Sequence, residues 1–399
     1  MKQSNSLENE KDFLGTLNRE VGTLLDVEIP APDPAQESRR SQRDALRSGV
    51  QINKKAVAWI ITISVVLVIL GGGFAAYFVI REHGRATLTE HVTLEALRDV
   101  EFTPPEAAIV ADGTDTLTWN GKTYEKRDSV INILCLGVDK KNIDPDPDEI
   151  EIYGDAGQAD TIFLAALDTE TGKLTLLNVS RDTMADVDVY NTDGEYTETR
   201  SMQVCLAYAY GDGGESSNLN MCKAVSGLLY GIPIDGYASI KLPAVSILND
   251  AIGGVEVTVL EDLSRWDPSL TEGASVLLKG NLARTYVQAR GNELGSNSQR
   301  MARQRQYVTA FLRKSFQMVR SDWSIAVKLY QTVKAYTHTS LRLSQIVYLV
   351  SLAANVDFSQ DNITTIPGKL VMGESFAEFY ADDEAVFQII LDTYYREVS

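Results

Sequence analysis

Three stretches decide the fold of this chain: Val130-Ile131-Asn132-Ile133-Leu134-Cys135-Leu136-Gly137-Val138-Asp139, Ala159-Asp160-Thr161-Ile162-Phe163-Leu164-Ala165-Ala166-Leu167-Asp168, and Leu174-Thr175-Leu176-Leu177-Asn178-Val179-Ser180-Arg181-Asp182. Each is a near-continuous apolar run of strand length, the pattern of a strand covered on both faces. A tight turn, Asp168 to Lys173, joins the second run to the third, so these two should form an antiparallel hairpin. Charged residues gather at the run ends: Asp139 closes the first, Asp160 opens the second, and Arg181 with Asp182 closes the third. If the runs are neighbours, two carboxylates and a guanidinium meet at one end of a sheet. That constellation suits a divalent cation and a phosphate.

Downstream, strand and helix patterns alternate. Met202 to Ala209 reads as a short helix ended by the Gly-rich segment at 211–214. Ser217 to Tyr230 is a longer helix closed by Gly231. Strands at Tyr237 to Leu242 and Gly254 to Leu260 flank a helix from Pro243 to Ala251. Helices follow at Leu282–Ala289, Ser298–Val319, Trp323–Tyr336 and Leu341–Asn355, then a strand at Ile363–Ile366 and a final helix at Asp382–Tyr395. The alternation predicts a layered α/β domain over residues 129–399. Upstream, Leu117 to Tyr124 has the look of a small hairpin around an Asn-Gly turn. Leu88 to Val100 has helical spacing, stopped by Pro104-Pro105. Residues 81–128 are therefore expected to form a stalk. The loop at 140–158 is acidic; its register does not fit a calcium-binding loop, and a solvated loop is the preferred reading.

The formal net charge is −18. Residues 1–55 carry nine acidic and nine basic side chains, so all of that charge lies beyond residue 80. Such a balance argues against a nucleic-acid partner. Residues 56–80 contain no charged side chain, long enough at ~1.5 Å per residue to cross a ~30 Å hydrocarbon core. Arg39, Arg40, Arg43, Arg47, Lys54 and Lys55 precede the run, whereas acidic residues dilute the positive charge after it. This asymmetry predicts a single span with a disordered cytoplasmic tail at 1–55 and residues 81–399 outside the cell membrane. A cleaved signal peptide is the competing reading; the run is long and starts late for one. With three histidines and three cysteines and no CxxC pattern, a His-based triad or a zinc site is not expected. Cys205 and Cys222 flank a loop and either pair as a disulfide staple or remain buried thiols.

A second polar cluster lies at Arg290 and at Arg300, Arg303 and Gln304. The last three share one helix face, which either points into a cleft or forms a solvated stripe. Guanidinium groups there offer two-pronged hydrogen bonds to phosphate oxygens. The hydroxyl of an acceptor would need a base, for which Asp139 and Asp182 are candidates; Asp182 could equally hold Arg181 in place.

The motifs Leu136-Gly137-Val138-Asp139, Ala159-Asp160-Thr161, Ser180-Arg181-Asp182-Thr183, Ala207-Tyr208-Ala209-Tyr210-Gly211, Gly231-Ile232-Pro233-Ile234-Asp235, Asp250-Ala251-Ile252-Gly253-Gly254-Val255 and Arg300-Met301-Ala302-Arg303-Gln304 stand in the order found in LytR-CpsA-Psr proteins, a family this chain resembles over residues 129–320. The resemblance implies an α-β-α sandwich with a mixed central sheet and an apolar channel for a lipid tail. It implies a membrane-anchored, magnesium-dependent phosphotransferase that moves a glycopolymer, of teichoic acid or capsular polysaccharide type, from a polyprenyl-pyrophosphate carrier to peptidoglycan. Asp139 and Asp160 would bind Mg2+. Arg181, Arg290 and Arg300, with Lys140, Gln158, Gln288, Arg303 and Gln304, would bind the pyrophosphate. Gln158 and Gln288 stand where the family commonly has Arg, which lowers the charge the site brings. Hydrolysis of the carrier pyrophosphate, or carrier binding without turnover, is the alternative.

Overall fold

The computed structural model describes residues 77–88, 101–110, 115–139, 156–242, 244–290, 296–374 and 376–398. The expected tail, all but the last four residues of the candidate span, Lys140 and most of the acidic loop lie outside these residues. All described residues belong to a single unit, residues 72–399. Among them no helix is long and apolar enough to cross a membrane.

The expected runs form the middle of a six-stranded sheet. Its strands are β4 (Val130–Val138), β5 (Ala159–Asp168), β6 (Leu174–Val179), β9 (Gly236–Lys241), β12 (Thr337–Thr339) and β13 (Ile363–Thr365), in the order β12-β9-β4-β5-β6-β13. β5 pairs antiparallel with both β4 and β6, whereas β4–β9 and β6–β13 are parallel. The sheet is therefore mixed, as expected. Side chains alternate between two cores along β5. Ile162, Leu164 and Ala166 pack with helices α3 (Glu215–Leu228) and α9 (Asp383–Tyr394). Phe163 and Leu167 pack with α6 (Ser296–Ser321), α7 (Ser324–Val333) and α8 (Leu343–Ala353). Two covered faces are the physical reason the strands read as unbroken apolar runs.

Smaller sheets surround this centre. β10 (Val255–Thr258) and β11 (Ser275–Leu278) form a hairpin beside α4 (Ala244–Ala251) and α5 (Asn281–Gln288). β2 (Thr116–Trp119) and β3 (Lys122–Lys126) form the predicted hairpin, with Asn120 and Gly121 at φ 50° and 77° in its turn. That hairpin is built into the body: β3 pairs with β16 (Tyr395–Val398), β2 with β1 (Ile109–Val110), and Trp119 packs edge-on against Phe387. β14 (Gly368–Met372) and β15 (Ala377–Ala381) make a hairpin after β13. The expected helix at Met202–Ala209 is only half helix. Met202 and Gln203 end β8 (Tyr196–Gln203), which pairs with β7 (Met184–Tyr190), and only α2 (Leu206–Ala209) is helical. Cross-strand pairing and the Gln203 amide bond to the Ala377 carbonyl (2.7 Å) outweigh local helix propensity there.

Residues 77–88 form α1, which lies against α7 and α8. Tyr77 meets the Trp323 ring at 5.3 Å, Arg81 Nε donates to Ser351 Oγ at 3.1 Å, and the Arg81 guanidinium sits over Tyr348. A Cβ on Gly84 would overlap the Ser344 carbonyl, so this helix crossing needs glycine.

Candidate functional site

The pairing of β4 with β5 is regular from Val130 to Gly137, opposite Thr161, and then shifts so that Val138 faces Ala159. Asp160 is the extra residue of this bulge. A bulge re-aims a side chain, and here it sends the Asp160 carboxylate to two arginines from distant parts of the chain. Oδ1 accepts from Arg181 Nη1, at the end of β6, and Oδ2 accepts from Arg300 Nη1 on α6 at 3.2 Å. Asp139 sits at the same end of the sheet. Its Oδ1 accepts the Gln158 N–H at 2.8 Å and its own N–H bonds the Gln158 carbonyl. The Gln158 side-chain oxygen accepts from Arg181 Nη2. The glutamine that lowers the site's charge thus orients one of its arginines.

A buried polar relay braces the two guanidiniums from behind. Asp182 is 4% exposed and accepts from Asn297 Nδ2 at 2.6 Å and from Gln203 Nε2 at 3.2 Å. Its Oδ1 lies 3.6 Å from Arg181 Nε. Asn297 also donates to Ser180 Oγ and accepts from Arg300 Nη2 at 2.7 Å. Both Asp182 oxygens thus accept from protein donors, the arrangement expected of a residue that holds Arg181 in place. Asn297 and Gln203 were not singled out in the sequence. Asn297 sits one helical turn before Arg300, a spacing that puts both on one face.

Burial first, then the charges of Arg181 and Arg290, pull the Arg300 guanidinium down to about 10. It remains charged at neutral pH but under strain, which an anion would relieve. Among the described residues neither Arg181 Nε nor Arg300 Nε has a hydrogen-bond acceptor, although Arg181 Nε lies 3.6 Å from the Asp182 carboxylate. Orphaned donors of this kind on paired guanidiniums are what an oxyanion site supplies. Behind the cluster, Cys205 is pushed up to about 11 by burial, in the field of Arg181, Asp182 and Asp139. Burial also raises Cys135 to about 11 and Cys222 further. Cys205 and Cys222 are free thiols, so the possible disulfide is not formed.

Arg303 and Gln304, grouped with the phosphate ligands in the sequence, are spent elsewhere. Arg303 is 2% exposed; its Nε pairs with Glu261 at 2.8 Å, and its two Nη atoms donate to the carbonyls of Tyr286 and Ala289. Gln304 donates to the Val287 carbonyl at 3.3 Å. Together they cap the C-terminal end of α5, whose last carbonyls have no helical partner. That capping positions Arg290, two residues past the helix end. Gln288 accepts from Arg284 Nε at 2.6 Å. The shared face of α6 is thus buried, but only Arg300 reaches the cluster.

Arg181 and Arg300 pair with Asp160 and Asp182, Asp139 lies at the same sheet end, and the exposed Arg290 is near enough for its charge to act on Arg300, so three positive charges stand against three negative. A diphosphate, with one negative charge per phosphoryl group in diester linkage, would leave such a site short of positive charge. A divalent cation would restore the balance. Among the described residues no three metal-binding side chains converge. Asp139 and Asp160 are the carboxylates that would hold Mg2+ with substrate phosphates and water, but both Asp160 oxygens are bonded to Arg181 and Arg300, so one of those bonds would have to open first. Beside the cluster opens a cavity of about 370 Å³, lined by Ser180 and Asn297 on the polar side and by Met301, Ile366, Leu370 and Phe379 on the apolar side.

The chain is 24% identical over 245 residues to a polyisoprenyl-teichoic acid–peptidoglycan teichoic acid transferase TagU of Oceanobacillus iheyensis, covering 61% of this chain and 68% of that one. It is 22% identical over 285 residues to the TagU of Bacillus mycoides, covering 71% and 79%. In fold it is similar to the solved structure of protein gbs0355 from Streptococcus agalactiae, with a TM-score of 0.52, 19% identity and coverage of 68% and 90%. The LytR_cpsA_psr family model matches residues 105–391. With residues 105–391, most of its length, inside that match, the chain belongs to the LytR_cpsA_psr family.

Proposed function

We propose that this protein is a membrane-anchored phosphotransferase that acts outside the cell membrane, moving a glycopolymer from a polyprenyl-pyrophosphate carrier to a peptidoglycan hydroxyl. One observation carries the reading: two buried guanidiniums, Arg181 and Arg300, converge on Asp160, and among the described residues the Nε of each makes no hydrogen bond. The family match and the transferase names of the relatives support it.

In the reaction, the acceptor oxygen forms a bond to the phosphorus that carries the sugar. The bond from that phosphorus to the bridging oxygen breaks, and polyprenyl phosphate leaves with the electron pair. Arg181 and Arg300 stabilise the negative charge that builds on the phosphoryl oxygens. Arg290, held by the capped end of α5, adds a third positive charge. Burial and the bonds to Asn297 and Gln203 make Asp182 the weaker of the two candidate bases. Asp139, half-buried at the end of β4, is the carboxylate able to take the hydroxyl proton. Mg2+ held by Asp139 and Asp160 would neutralise phosphate charge. The apolar wall of the adjoining cavity suits the first isoprene units of the carrier.

The test uses the full chain in detergent or vesicles with a polyprenyl-pyrophosphate oligosaccharide, Mg2+ and peptidoglycan. Covalent attachment of the saccharide, with release of polyprenyl phosphate, is the expected result. Chelation should stop it, and added Mg2+ should restore it. Equal transfer by wild type and Arg181→Ala would overturn the assignment. Release of polyprenyl phosphate without any acceptor would replace transfer by hydrolysis.

A further inference from the structure

We infer that the aromatic face formed by α1 and the start of α7 rests in the headgroup layer of the membrane, so that the domain is held against the bilayer by side chains as well as by a tether. This rests on the reading of residues 56–80 as a membrane anchor, and goes beyond it.

The first charged residue after that uncharged run is Arg81. In the structure Arg81 already belongs to α1 and is fixed to the body, by its bond to Ser351 Oγ and its place over the Tyr348 ring at 5.6 Å. The last residues of the run, 77–80, form the first turn of the same helix. No slack therefore separates the end of the run from the folded unit. Wherever hydrocarbon gives way to headgroups near Arg81, the surface beside it must lie at the same level.

That surface has the composition of a membrane interface. Phe78, Val79 and Trp323 are 41%, 49% and 37% exposed. The rings of Phe78, Tyr77 and Trp323 form a continuous row, with centroid spacings of 5.4 and 5.3 Å. Exposed aromatic rings flanked by long basic side chains are the side chains that settle at headgroup depth. Arg81 and Arg85 lie on one flank and Lys328 on the other, with Glu82 and Asp322 paired to them. Gly84 keeps the arrangement rigid, since any side chain there would push α1 off the Ser344 backbone. A protein partner could also cover apolar rings, but the direct continuity with the uncharged run favours lipid.

The experiment exploits the chain's four tryptophans. The full chain is reconstituted in vesicles whose lipids carry bromine either near the headgroups or deep in the acyl chains, and emission is compared with that of single Trp→Phe variants. Trp59 lies in the uncharged run and reports on the anchor. Trp266 is 41% exposed on another part of the unit and serves as control. The expected result is that shallow bromine removes the emission contributed by Trp323 and leaves that of Trp266. Quenching of Trp59 without quenching of Trp323 would keep the anchor and overturn the docked face. Absence of quenching at both would overturn the anchor and this inference with it. Equal quenching of Trp266 and Trp323 would overturn the specific face. None of these outcomes depends on catalysis, so transferase activity is judged separately.

Discussion

Two arginines three residues apart on α6 occupy two regions with opposite logic. Arg303 sits where α6 meets the end of α5, and all three of its guanidinium nitrogens have protein acceptors. Arg300, one turn earlier, faces the end of the central sheet with its Nε unsatisfied, next to a second arginine in the same condition. Both are buried and both are pulled down by desolvation. Burial alone therefore does not separate scaffold from site; the unfilled hydrogen-bonding capacity does.

The sharpest test of this contrast is activity. Arg300→Ala should lower transfer by about 10²–10³, the usual effect of removing one charge-stabilising donor, with the thermal midpoint near wild type. A parallel loss of folded protein would break the distinction. Arg303→Met should do the reverse. It strands two helix-end carbonyls and leaves Glu261 without its partner, so unfolding free energy should fall by about 3 kcal/mol in a denaturant titration. If the folded Arg303→Met protein keeps its stability and loses only turnover, Arg303 belongs to the site after all. Asn297→Ala bridges the regions. A bond to a charged group is worth about 1.5–3 kcal/mol, so losing one from the transition state should slow transfer by about 10–150-fold.

The smallest effect concerns the thiols behind the cluster. Burial favours the protonated form of Cys205 and Cys135, raising both from 9.0 to about 11. The unfolded thiols ionise first, so their contribution to stability is intact below pH about 9 and is lost as pH rises toward 11. Native protein should resist alkylation at pH 8 and react on unfolding, as read by mass spectrometry. Rapid native labelling of Cys205 would show the region behind the cluster to be open.

The central sheet was legible because its strands are covered on both sides, which leaves a mark every residue long. The site's poles were legible for a related reason: Asp139, Asp160 and Arg181 fall where apolar runs stop. What the spacing of residues could not show was direction. Arg300 and Arg303 share a helix face, and only the approach of α5 from one side commits Arg303 to its carbonyls. The β7–β8 hairpin escaped because β8 contains Thr197, Glu198, Thr199 and Arg200, an exposed polar strand with no apolar signature. The bulge at Asp160 is likewise a property of two strands in register, visible in neither alone.

The length of α6 has a mechanical corollary. Arg300 lies near one end of this 26-residue helix and Trp323 lies just past the other, a separation of roughly 35 Å along a straight rod. On the inferred seating of Trp323 in lipid and the proposed pyrophosphate carrier, an upright rod would lift the pyrophosphate that far from its leaflet. Each methylene drawn into water on the way would cost about 0.8 kcal/mol. A rod leaning toward the leaflet would shorten the climb, so on the proposed function the tilt of one helix would set how many isoprene units need shelter during a turnover.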